Sequence, residues 1–387
     1  MNRFTRQMAS YLQQFGAVVR NEFRTIFTDG GVLLILVFAM LIYATAYSLA
    51  YGSQVLRNVP IGVVDACRTA TSRSLIETFN AGPNTYVAYE PTDMEEAREL
   101  FYGRKIYGVV YIPSDYERKL VGGSQADVAI YCDASYFLMY RQVFQELVTT
   151  IGQTGAMVEF RRLIAKGTDI PQAQAVTQPV IYQSHNLFNP YLGYGTFVMP
   201  AIIIVIIQQT MLIGIGMIGG TWREHGLYRK LRPAGRGRMS TLPIVLGRAT
   251  VYALIYAVTC AYVLGLHYRM FHFPMNGQTG AVALFTAVYL AACIAMSIAV
   301  STLFRYRENS LLLLLWTSIP VLMLSGISYP REGIPEWMFA LGKLFPSSHG
   351  VNGFIRIQTM GASLGEVFAE IKWLVILTVA YGGLAPT

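Results

Sequence analysis

Few residues in this chain have the types and spacing for chemistry. "GASLG", Gly361–Gly365, has the G-x-S-x-G spacing that can expose a serine nucleophile at a strand-to-helix turn. That geometry needs a strand before Ser363, and no strand signal precedes Gly361. Ser363 and Glu366 instead have the spacing of a capping box, so they read as the opening of the last helix. His267 and His272 lie five apart in "LHYRMFHFP", read as a short loop, where two imidazoles could share a metal ion or simply face solvent. His349, after "PSS", reads as a packing or helix-end residue. There is no H-E-x-x-H and no G-x-x-x-x-G-K-[ST]. Gly342–Lys343, in "ALGKLF", lacks the leading glycine and is followed by leucine. The chain therefore has no loop to cradle nucleotide phosphates. No enzymatic activity, metal or cofactor is expected of it.

The four cysteines form no C-x-x-C pair. Cys260 and Cys293 sit in apolar runs. Cys67 and Cys132 each close a predicted strand. Adjacent parallel strands would bring their ends together, and an oxidising compartment would then allow a disulfide. Two independent thiols are the alternative.

The elements that must carry these residues are mostly apolar. Of 387 residues 53% are hydrophobic and 13% charged, about half the charge of a soluble domain. A membrane span needs about twenty apolar residues, and six runs approach that length. They are Gly31–Tyr51, then about 191–220, 242–266 and 279–304, Leu311–Tyr329, and a last run from about Ile371 to the end. Residues 54–190 differ, with 12 basic and 14 acidic residues. There "VPIGVVDA", "NTYVAYE", "IYGVVYIP" and "ADVAIYCDAS" read as strands, alternating with helices such as "TSRSLIETFN" and "TDMEEARELFYGR". The long stretch "SYFLMYRQVFQELVTTIGQTGAMVEFRRLIAKG" reads as one more helix. Residues 1–30 carry no secretory signal. They place Tyr11, Phe15, Val18, Val19, Phe23 and Ile26 near one face, as in an interfacial amphipathic helix. The expected fold is a membrane all-α bundle of six transmembrane helices plus an extracytoplasmic α/β domain between helices 1 and 2. The expected parts are 1–30, a first span over 31–53, the α/β domain over 54–190, and spans 2–6 over 191–387.

Charge sets the expected orientation. Residues 1–30, 221–249 and 305–308 together hold 13 basic and 4 acidic residues, against 17 and 18 in the remainder. The excess positive charge lies in short loops on one side, which the positive-inside rule makes cytosolic. The N-terminus is then inside and the α/β domain outside. The net charge of +8 concerns topology, and no nucleic-acid partner is expected. The first five runs hold no Asp or Glu, which argues against proton- or ion-coupled transport. Their mild polar residues include Gln208, Gln209 and Ser325. These could bond between helices or line a path at a dimer seam.

The basic stretch "TWREHGLYRKLRPAGRGR", Thr221–Arg238, separates two apolar runs. Glu224, Leu227 and Leu231 fall near one helical face that Pro233 would end, so a short docking helix is expected. With "REHGLYRKLRPAGRGRMSTLPIVLGR", "SGISYPREGIPEWMFALGKLFPSSHGVNGFIRI" and the strand order above, the chain resembles the permeases of type-2 ATP-binding-cassette exporters. The likeness is to the subgroup with a large extracytoplasmic domain between the first two spans. Glu224 and Gly226 match the family's cytosolic motif, Leu227 stands where threonine is usual, and Arg248 stands at a usual basic position.

The resemblance implies a coupling loop at 221–241 that meets an ATPase through Arg223, Glu224, Gly226, Arg229 and Leu231. It implies that the N-terminal helix also touches the ATPase. It implies a re-entrant hairpin at about 331–370 bearing Pro330, Pro335, Pro346 and His349. It implies a separate ATP-binding-cassette subunit that binds ATP and Mg, and a second permease copy, identical or paralogous. The expected setting is the bacterial inner membrane, with membrane lipid as a partner and a periplasmic adaptor protein possible at "CDASYFLMY". The expected function is export of an amphipathic, drug-like or lipid-like substrate. The alternative is a non-transporting receptor or assembly protein whose outer domain binds a ligand or partner. The absence of any long cytosolic segment argues against it.

Overall fold

A computed structural model describes residues 3–181, 183–227 and 241–384. The chain divides into two compact units, one of Met1–Gln54 with Asn186–Thr387 and the other of Val55–His185. The first begins with α1, Arg3–Thr28. Asp29 then caps α2, Gly30–Ala50, by accepting from Gly31 N at 3.0 Å and Val32 N at 3.1 Å. A carboxylate cap satisfies donors that the first helical turn leaves open.

In the Val55–His185 unit the strands are β1 Val59–Asp65, β2 Thr85–Tyr89, β3 Gly108–Ile112 and β4 Ala129–Cys132. Their order is β2-β1-β3-β4, with β4 alone antiparallel. The helices are α3 Ala70–Asn80, α4 Met94–Tyr102, α5 Tyr116–Val121, α6 Phe137–Ala165 and α7 Ile170–Thr177. Alternation along β1 sends Val59, Ile61 and Val63 into a core with Leu75 and Phe79 of α3 and Val143 and Leu147 of α6. Val64 faces the other way, onto Val109, Ile106 and Ala97 of α4. Helices thus cover both faces, as parallel strands require.

This sheet corrects the cysteine expectation. β3 lies between β1 and β4. Cys132 pairs with Gly108 at the start of β3, whereas Cys67 follows Asp65, which pairs with Ile112 at its end. The two residues occupy opposite ends of the sheet and are separated sideways by two strand spacings, about 10 Å, beyond disulfide reach. Both are free thiols. Burial pushes the Cys132 thiol up to about 11.

The helical unit resumes with α8 Tyr194–Glu224, α9 Leu242–Met270 and α10 Thr279–Ser301. Then come α11 Arg307–Leu324, α12 Glu336–Gly342, α13 Pro346–Phe354 and α14 Phe368–Leu384. Among the described residues four helices, α2, α8, α9 and α10, are long and apolar enough to cross a membrane. The fifth and sixth apolar runs are helical over 18 and 17 residues, α11 and α14. α8 is the most buried of these helices and packs on α2, α10, α11 and α13. α9 packs chiefly on α1 and α10. It runs past the expected end at residue 266, so His267 lies within the helix, buried against Phe271 and Phe273, and not in a loop. The continuing apolar and aromatic side chains, Tyr268 among them, favour burial over a solvated turn.

Candidate coupling site

Charged side chains gather where α1 meets α2. Val18, Glu22 and Ile26 recur every four residues, so they share one stripe of α1, and all three are fully buried. That stripe lies on α9. A Cβ added at Gly247 would come within 2.9 Å of Val18 Cγ1, so glycine lets the helices approach closely. One turn away, Arg248 Nε donates to Glu22 Oε1 at 2.9 Å, and the Tyr252 hydroxyl donates to the same oxygen. Glu22 is 0% exposed and Arg248 3%. The Arg248 guanidinium also stands 5.2 Å from the ring centre of buried Trp222, in the last turn of α8. The buried cation thus has a carboxylate, an aromatic face and, through Nη2 at 3.4 Å, the Tyr252 hydroxyl among the partners that offset its desolvation.

A second ion pair stands at the junction of α1 and α2. Arg307 opens α11 and donates through both Nη atoms to Asp29, with Nη2 to Oδ1 at 2.9 Å. This two-toothed contact ties the α1–α2 junction to α11. It is more open, with side chains 30% and 25% exposed. Arg307 holds the Asp29 carboxyl below its usual value, helped by the two cap bonds. Arg223 Nη1 donates to the Thr302 carbonyl at the end of α10, where a cation also complements the helix dipole. The "GG" that precedes this region packs backbone on backbone. A Cβ at Gly219 would lie 2.8 Å from Ser301 O, and one at Gly220 2.7 Å from Tyr306 O.

Arg223 and Glu224 therefore belong to the last turn of α8, with Glu224 exposed. Gly226 has φ +63°, the left-handed conformation that ends a helix at low cost only for glycine. The turn at Gly226 interrupts the helix after Glu224, so Glu224 and Leu227 do not share one continuous helix, and residues 228–240 of the expected docking segment lie outside the described residues. Arg229 and Leu231 lie outside the described residues. Glu22 and Asp29 were not singled out as functional by sequence reasoning. The signal for Glu22 was there, a carboxylate at the fourth residue of a four-residue apolar repeat.

The segment bearing Pro330, Pro335, Pro346 and His349 forms a bent pair of short helices. Pro330 and Pro335 precede a helical turn and α12, and Pro346 is the first residue of α13, where proline's fixed φ is pre-set and no amide is missed. His349 Nε2 lies 3.1 Å from the Lys343 carbonyl, and its ring stacks on Trp373 of α14 at 5.6 Å. Glu370 of α14 accepts from Asn352 and, at 3.1 Å, from Arg356 Nη1. Gly350 lies against the Tyr289 ring, where a Cβ would overlap.

Gln208 is 0% exposed, and its Oε1 accepts from Ser347 N at 2.7 Å. Phe345 precedes α13 and has no capping oxygen, so Gln208 caps the helix from α8. Gln209 is buried within the same unit, and the Ser325 hydroxyl donates to the Leu322 carbonyl. Both glutamines are buried among the helices of this unit. Ser363 donates through N and Oγ to Glu366, as the capping spacing implied, but α14 begins only at Phe368. Among the described residues no cluster of three His, Cys, Asp or Glu could hold a metal ion.

Residues 30–385 match the family described as "ABC-2 family transporter protein". The chain is similar to "Probable multidrug ABC transporter permease YbhR" of Escherichia coli K12. That relative is 21% identical over 372 residues, which cover 95% of this chain and 96% of the relative. It is also similar to "Inner membrane transport permease YhhJ" of Escherichia coli K12, 25% identical over 376 residues, 94% of this chain and 92% of the relative. A more distant likeness is to "ABC transporter G family member 20" of Dictyostelium discoideum. There the identity is 20% over 365 residues, 94% of this chain and 48% of the relative.

Proposed function

The chain belongs to the ABC-2 family of transporter proteins, and from that premise we propose that it is the membrane subunit of an ATP-driven exporter whose energy comes from a separate ATPase chain. The observation that carries this reading is the family match over residues 30–385 in a chain without a phosphate-cradling loop. In this reading α2, α8, α9, α10, α11 and α14 are six spans. α12 and α13 form a re-entrant hairpin, and the Val55–His185 unit stands outside the cell membrane. The excess of basic residues around α1 and the α8–α9 connection supports a cytosolic position for that end. The ATPase then meets α1 and the exposed end of α8, including Arg223 and Glu224. Two such subunits enclose the path, and the substrate is amphipathic, drug-like or lipid-like, in keeping with the multidrug relative.

The test is to extract the tagged chain in mild detergent and identify stoichiometric companions by mass spectrometry. An ATPase with a Walker motif is expected. Its absence, under conditions where a known transporter keeps its own, would sink the reading.

A further inference from the structure

The bent pair of α12 and α13 carries two cations that belong to no ion pair. Arg331, in the helical turn before α12, and Lys343, at the bend after it, both stand over the Phe339 ring, 5.8 and 4.7 Å from its centre. Arg331 is held in place. It donates to the Ser348 carbonyl in α13, and its stem lies on Gly326, where an added Cβ would come within 3.0 Å of Arg331 Cγ and Nε. Gly326 has φ +85°, so the backbone disfavours a side chain there as well. An aromatic face attracts each cation, but it neutralises neither.

Among the described residues no carboxylate pairs with either charge. Glu370 accepts instead from Asn352 and Arg356, and Glu332 and Glu336 are exposed. Two like charges on one ring therefore lack a counter-ion, and both side chains are open enough for an anion to reach them. The surface beside them is apolar. Trp337 and Leu341 lie one turn apart on α12, and with Leu344 they are 66%, 49% and 52% exposed. A soluble anion would gain nothing from that surface. A phospholipid would, because it brings a phosphate and acyl chains together.

We infer that Arg331 and Lys343 form a binding site for an anionic phospholipid, whose phosphate accepts from both and whose acyl chains lie on Trp337, Leu341 and Leu344. The head group is one without a cation of its own, since an ammonium would add a third positive charge beside the pair. Arg331 already joins Phe339 of α12 to Ser348 of α13, so the bound lipid braces the bend between the two helices. The inference rests on the hairpin lying in the membrane, as the exporter reading has it, and on neither the ATPase nor the substrate.

The test uses the full chain in phosphatidylcholine nanodiscs, with phosphatidylglycerol or phosphatidylcholine bearing brominated acyl chains added in increasing fraction. Bromine quenches indole fluorescence on contact, and the difference between the parent and Trp337→Phe isolates Trp337. Two cations at a membrane surface amount to about thirtyfold in preference for an anionic head group. Half-maximal quenching of Trp337 should therefore need about a thirtyfold smaller fraction of brominated phosphatidylglycerol than of brominated phosphatidylcholine. Arg331→Gln with Lys343→Gln should erase the difference, and Arg331→Lys with Lys343→Arg should keep it. Lys343→Gln alone gives up no hydrogen bond of its side chain, so it serves if the double variant fails to fold. It should narrow the preference to about fivefold. Equal quenching by the two lipids, no quenching of Trp337 by either, or a preference that survives loss of both charges overturns the site and leaves the search for an ATPase untouched. Failure to find an ATPase, with the lipid preference as expected, refutes only the exporter reading.

Discussion

Glu22→Ala is the perturbation with the largest expected cost. It leaves the Arg248 guanidinium, 3% exposed, without its carboxylate, and Tyr252 without its acceptor. Breaking a buried pair from one side costs about 3–5 kcal/mol. The Asp29–Arg307 pair, being partly exposed, should contribute no more than about 1 kcal/mol. At about 2–4 °C per kcal/mol for a unit of this size, Glu22→Ala should lower the melting midpoint of the detergent-purified chain by about 10 °C. Intrinsic fluorescence can follow the transition, because Trp222 is packed against Arg248. Glu22→Leu with Arg248→Met removes both charges and should come back to within about 1–2 kcal/mol of the parent. The reasoning fails if Glu22→Ala melts within 2 °C or so of the parent. It also fails if the double variant is no more stable than Glu22→Ala, since the penalty would then not be that of a stranded charge.

Other outcomes follow from single contacts. Gln208→Leu removes the acceptor from Ser347 N, and an orphaned buried amide costs about 1–3 kcal/mol, so exchange of the α13 amides should accelerate while α9 is unaffected. Gly220→Ala places a methyl group 2.7 Å from the Tyr306 carbonyl oxygen and should reduce the yield of folded protein, whereas Gly16→Ala meets nothing within 4 Å and should raise α1 helicity by about 0.5–1 kcal/mol. Cys132 should alkylate slowly at pH 8, its rate rising with pH toward about 11, and non-reducing mass spectrometry should find no bond between Cys67 and Cys132. The Asp29 carboxyl is held below the ordinary value of 3.8 in the folded chain. Its stabilisation is therefore full above that value and is lost as pH falls below it toward the folded value, so the melting difference between parent and Asp29→Asn should shrink when pH is lowered from 7 into that range.

Elements whose pattern follows from burial were legible. "VPIGVVD" is apolar on both faces because helices cover both sides of β1. The prolines at 330, 335 and 346 mark helix starts because their φ is fixed. What escaped depends on partners distant in sequence. Glu22 looks like a solvated charge until Arg248, more than two hundred residues away, is brought to it. Gln208 reads as a generic polar residue in a span, and only the fold shows that α13 begins beside it without a cap of its own. Strand order is likewise a tertiary property, so nothing local in "VDAC" or "IYCD" shows that the two thiols lie at opposite ends of the sheet, two strands apart. Gly226 is legible as a motif position, but its left-handed turn is not, because the apolar spacing continues on both sides of it.

The retention of a buried ion pair at α1 needs a reason, because well-packed apolar residues of similar size are often as stabilising or more so. The composition of α1 supplies one. Phe15, Val18, Val19, Phe23 and Ile26 present an apolar surface that could seat on α9, or on lipid, in more than one register, since apolar contact is non-directional. A single carboxylate within that surface has one place where its charge is matched, beside Arg248 and Tyr252. A shift of one helical turn, about 5.4 Å, would leave it facing apolar neighbours. The pair therefore selects one register at little net gain in stability. An interfacial helix that merely lay on the membrane would have no need of that selection. A helix that must pack on one particular span in one register does, and α1 packs on α9.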